Sequence, residues 1–102
     1  MSKPRMRWWG YVRQVLYAYP AMSNKSELTD TERRERGAVG KAIEETSVLP
    51  GGEITLGIVE KVFFQRSHTL CGAAMAEHVS FITARRRQRE FILSVGKHLN
   101  LP

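Results

Sequence analysis

Apolar residues recur three and four positions apart along most of the chain, the spacing of a buried helix face. Trp8, Val12, Val15, Leu16 and Tyr19 form the first such stripe, over 6–19, with Arg13 and Gln14 toward the other side. Pro20 lacks the backbone donor that a helix needs, so it is expected to stop this helix. The opening residues MSKPR read as a disordered basic start, and PAMSNKSEL, 20–28, as a loop. Thr29 and Glu32 then have the spacing of a capping box, which starts a helix from Asp30 to about Ser47. Its first two turns, DTERRER, are charged all round and read as a solvated face. Its second half turns Val39, Ala42, Ile43 and Thr46 inward. Gly37 and Gly40 each weaken it by about 1 kcal/mol against alanine. They make sense where another helix crosses closely, or at a local kink.

Pro50-Gly51-Gly52 breaks the pattern. The next run, EITLGIVEKVFF at 53–64, is apolar nearly all round and rich in β-branched residues. Propensity alone allows a strand. A single strand would have no partner in this chain, so a buried helix is expected, with Ile54, Ile58, Val59, Val62 and Phe63 in the core. QRSH, 65–68, links it to the last third. There Thr69 reads as the N-cap of a short helix through Gly72-Ala73-Ala74-Met75-Ala76. Small residues let another helix approach. His78 stands where the chain must turn, a place that often needs a left-handed backbone. Ser80 offers a fresh N-cap for a final helix to about Leu99, which frays at Asn100-Leu101-Pro102. The expected fold is all-α, about five helices in one domain. It divides into an N-terminal basic helix and loop (1–28), central helices (29–64) and a helix-turn-helix segment (65–102).

On the final helix Ala84, Phe91 and Val95 fall on one face and should point inward. Arg85, Arg86 and Arg89 then point outward, just after Ser80, Phe81, Ile82 and Thr83. The second helix of a helix-turn-helix reads bases in the major groove with its N-terminal residues. Arginine suits this chemistry, because it binds guanine O6 and N7 bidentately and also holds phosphate. Arg87 and Arg66 are weaker candidates for phosphate contact. Thr69 and Ser80 would bring helix N-termini and their own hydroxyls to phosphates.

The pattern from Leu70 to Leu99 resembles the helix-turn-helix of sigma factor region 4. The whole chain is similar to small phage-encoded transcriptional regulators of Firmicutes, the ArpU and RinA type of late-gene regulator. The residues that carry this are Arg7-Trp8-Trp9-Gly10-Tyr11-Val12-Arg13, then Ala38-Val39-Gly40-Lys41-Ala42-Ile43. Ala73-Ala74, Val79-Ser80, Thr83-Ala84-Arg85-Arg86 and Phe91-Ile92 complete the set. The resemblance spans most of the chain, and the last third carries its motif. It implies binding to double-stranded DNA, control of phage late genes, and RNA polymerase as a partner. Glu77 and Arg87 depart from the pattern, for both stand where that motif usually has an apolar residue. Either the register differs slightly or the two pair across the motif.

Charge supports an anionic partner. The chain has 102 residues, a formal net charge of +6 and a sequence pI near 10.0. Residues 1–25 hold five basic and no acidic residues, 26–53 four basic and seven acidic, and 54–102 seven basic and three acidic. The ends are cationic and the middle is anionic. The lone cysteine, Cys71, excludes an intrachain disulfide, suits a reducing cytosol and is expected in the core. No apolar run has the roughly 20 residues of a membrane span, and the N-terminus lacks the apolar core of a signal peptide. A cytoplasmic protein is expected.

Tryptophan with arginine near the start invites a membrane-surface reading. The expectation here is that Trp8 anchors the core and Trp9 lies in an interface or on the surface. His68, His78 and His98 have no metal-ligand spacing, and no acidic pair suits acid–base catalysis. No enzyme activity, cofactor or metal is expected. One helix-turn-helix reads only a few base pairs, so a homo-oligomer or a docking partner is expected. Two other readings stand beside the regulator. One is a module that binds an acidic protein through the arginine helix, and the other is the DNA-recognition subunit of a phage terminase.

Overall fold

Three hydroxyl side chains set where helices begin. Thr29 accepts a hydrogen bond from the Glu32 amide at 3.1 Å, and the Glu32 carboxylate accepts from the Thr29 amide at 3.0 Å. This closes the capping box and starts α2, Asp30–Ser47. Lys25, bonded to Glu32 at 2.7 Å, and the Thr29 amide hold that carboxyl below its ordinary pKa. Thr69 and Ser80 accept in the same way from the amides of Gly72 and Thr83, each at 3.1 Å. They start α4, Leu70–Ala76, and α5, Phe81–His98.

The computed structural model describes residues 7–102, so the MSKPR tail and the helix start near Met6 lie outside the described residues. Among the described residues all regular structure is helical: α1 Trp9–Ser23, α2, α3 Gly52–Val59, α4 and α5. The fold is all-α with five helices. The run 53–64 is helical throughout, because α3 passes directly into a π-helical turn, Glu60–Phe64. No helix among the described residues is long and apolar enough to cross a membrane.

Two apolar clusters hold the helices. The larger joins α1, α2, the end of α3, the π turn and α5 around Val12, Leu16, Val39, Val59, Phe63, Phe91, Ile92 and Val95, all fully buried. The smaller gathers Ile58 of α3, Ala73 and Ala74 of α4, and Ala84 of α5. The buried residues that α4 and α5 contribute to it are alanines, so α4 seats closely against the start of α5. Ile54 and Val62, expected at the centre, are half-buried at its edge. Tyr11 ties α1 to α2 by donating to Glu35 at 2.5 Å. Burial and that hydrogen bond push its phenol pKa up to about 12.

Several expectations fail for identifiable reasons. Pro20 lies inside α1, which runs on to Ser23. The missing donor affects one bond near the helix end, while Met22 beyond it is buried against the core. Trp8 and Trp9 are both half-buried and both pack on the larger cluster, so Trp8 anchors the core as expected while Trp9 joins it instead of lying in an interface or on the surface. The C-terminal residues are tied down rather than frayed. The Trp8 indole donates to the Pro102 carbonyl at 2.6 Å, and Leu101 packs on the core.

Among the described residues no helix crosses closely at Gly37 or Gly40, where an added Cβ would meet nothing within 4 Å. Gly37→Ala and Gly40→Ala should each therefore stabilise the protein by about 0.5–1 kcal/mol, since only the entropy penalty of glycine is removed. The double variant should melt several degrees higher than wild type. A lower melting temperature would mean that something does pack there.

Candidate nucleic-acid interface

The turn between α4 and α5 is built by its backbone. His78 adopts φ +58, the left-handed conformation expected of it. Its amide donates to the Met75 carbonyl at 3.2 Å, and the Val79 amide to Ala74 at 3.0 Å. Orphan carbonyls of α4 are thereby paired as the chain reverses. Residues 77–80 separate the two helices. Val79 packs down on the small-residue cluster, and the Ser80 hydroxyl caps α5 while donating to Thr83 Oγ1 at 3.0 Å.

The faces of α5 then follow from helical geometry. Ala84, Phe91, Ile92 and Val95 are buried. Ile82, Arg85, Arg86 and Arg89 are spaced i, i+3, i+4 and i+7, and fall within an arc of about 100° across the helix from Ala84, Phe91 and Val95. All four are exposed. Among the described residues none of these three arginines forms an ion pair. The helix thus presents a row of free guanidinium groups on a rigid base.

The other candidate residues divide. Phe81 is exposed beside Arg85, and Thr83 is half-buried with its hydroxyl held by Ser80. Ser80 lies at the head of the arginine row, with its hydroxyl already used in capping. Thr69 caps α4, one helix away from that row. Arg66, with φ +54, stacks its guanidinium 4.6 Å over the Tyr17 ring.

Arg87 does not join the row. It sits about 140° around the helix from Ile82 and reaches back into the protein. Its guanidinium donates to the Gly51 carbonyl and to Thr55 Oγ1, both at 3.2 Å. Arg87 therefore braces the α2–α3 turn against α5 and does not serve as the phosphate contact expected of it.

Of the two alternatives for Glu77 and Arg87, the pairing across the motif is not formed among the described residues. Glu77 instead pairs with Lys61 of the π turn at 2.5 Å, with both side chains mostly buried. A carboxylate can replace an apolar residue at that position because Lys61 neutralises it. Cys71, expected in the core, is exposed, because the buried face of α4 is made by Ala73 and Ala74. Ile82, named from the sequence only as one of the residues that precede the arginines, is 79% exposed and lies on the arginine row. Its spacing to Arg85, Arg86 and Arg89 is the signal that could have found it. No family model, curated protein or solved structure matches this chain.

Proposed function

We propose that this protein is a sequence-specific duplex-DNA-binding transcriptional regulator of the ArpU and RinA type, acting on phage or prophage late genes. In this reading α4 and α5 form a helix-turn-helix, with α5 in the major groove. The observation that carries it is the row of exposed, unpaired arginines in the N-terminal half of a helix whose opposite face is fixed in the core. Arg85, Arg86 and Arg89 reach base edges or phosphates. The N-terminus of α5, opened by Ser80, faces backbone phosphate. The net charge of +6 assists the approach. A homodimer would read two half-sites, and RNA polymerase is the partner through which transcription is changed.

The test is fluorescence anisotropy of the full chain with labelled duplexes from its own genomic neighbourhood, at low and physiological salt. One duplex should bind about 10³-fold or more tightly than unrelated sequence and keep that advantage as salt rises. Equal binding to all duplexes, abolished by salt, would mean that only charge is interacting. The arginine row would then serve an acidic protein partner.

A further inference from the structure

Ile82 is the most exposed large apolar residue on α5, and it heads the arginine row. It packs on neither apolar cluster. Its place one turn before Arg85 and Arg86 makes the three neighbours on the helix surface, so a ligand that covers those arginines can also reach Ile82. Phe81, 47% exposed, flanks the same turn. An apolar group beside three cations suits a partner that is anionic overall and apolar at one spot. On the major-groove edge of DNA that spot is the thymine C5-methyl group. Val48 and Leu49 are also exposed, at 81% and 59%. Their neighbours in sequence include Glu44, Glu45 and Glu53, so that surface does not suit a polyanion.

We infer that Ile82 reads the methyl group of a thymine that lies next to the bases or phosphates bound by Arg85 and Arg86. This rests on the DNA-binding reading and adds one base to it. The interaction is pure packing, so removing the methyl group alone should remove it.

The experiment starts from the duplex that wild-type protein prefers. Each thymine is replaced in turn by deoxyuridine, which keeps every hydrogen-bonding group and deletes only the methyl. One position per half-site should weaken binding by about fourfold, the value of one buried methyl-sized group. Ile82→Ala should bind the thymine and deoxyuridine duplexes equally. The deoxyuridine series on wild-type protein needs no variant to fold.

The inference is overturned if no deoxyuridine substitution matters, or if Ile82→Ala still distinguishes the two duplexes. In either case a duplex preference that depends on Arg85 and Arg86 would leave the DNA-binding reading intact. If no duplex is preferred at all, both fall together.

Discussion

Changing Arg85 and Arg86 together to alanine is expected to weaken binding to the preferred duplex by between about 30-fold and 10⁴-fold, since each base interaction removed costs roughly 1–3 kcal/mol. The slope of log affinity against log salt should also flatten, by about one unit for each phosphate that is no longer bound. Melting should hardly change. Both side chains are exposed and, among the described residues, neither forms an ion pair. Alanine is also a better helix former, and such surface changes stay within about 0.5 kcal/mol.

Arg87→Ala provides the opposite pattern on the same helix. It strips the Gly51 carbonyl and the Thr55 hydroxyl of a charged donor. That should cost about 1–3 kcal/mol of stability, which lowers the melting temperature by several degrees. Affinity per folded molecule should be nearly unchanged. If Arg87→Ala abolished DNA binding in a fully folded protein while the Arg85 and Arg86 variant bound normally, the assignment of faces on α5 would be wrong.

The contrast between these arginines marks the limit of what periodicity conveys. Thr29, Thr69 and Ser80 are legible as caps, because capping is a local event decided within four residues. His78 is legible for the same reason: the turn between two short helices demands a left-handed residue, and few types accept it. The buried face of α5 follows from Ala84, Phe91 and Val95 alone. Arg87 stands at the boundary of that face, and only the position of the Gly51 loop decides which way it turns. Glu77 finds Lys61 sixteen residues earlier, across a π turn that shifts the helical register. Neither partner follows from a pattern written for regular helices. Pro20 misleads because burial of Met22 outweighs one missing backbone hydrogen bond. Gly37 and Gly40 mislead because their cost to the helix brings no visible packing in return.

The α2–α3 turn is the place where a single methyl group should do most damage. At Gly52 an added Cβ would stand 1.8 Å from the Thr46 carbonyl oxygen and 2.9 Å from its carbon. Both atoms belong to the backbone of the last turn of α2, so no side-chain rotation relieves the overlap. The turn is also hydrogen-bonded shut, with the Gly52 amide donating to Leu49 at 2.9 Å and the Leu49 amide to Thr46 at 3.1 Å. Relief requires α3 to move away from α2. Ile58 and Val59 on α3, and Phe63 just beyond, are fully buried across both apolar clusters, so that movement opens cavities in each.

Gly52→Ala should therefore cost at least about 3 kcal/mol, the upper part of the range for overpacked sites, and lower the melting temperature by more than about 12 °C. Gly51→Ala is the control one residue earlier. Its φ of +72 costs an alanine about 1–2 kcal/mol, and the atoms nearest its Cβ, from 2.6 Å, belong to the Arg87 guanidinium, a side-chain end that can shift where the Thr46 backbone cannot. It should fall between wild type and Gly52→Ala in thermal melts. Because α4 rests on α3, Gly52→Ala should lose DNA binding together with helicity as temperature rises, whereas the Arg85 and Arg86 variant loses binding while still folded. A Gly52→Ala protein that melted within about 4 °C of wild type would show that the turn is not closed in this way, and Arg87 would then have no fixed carbonyl to brace against.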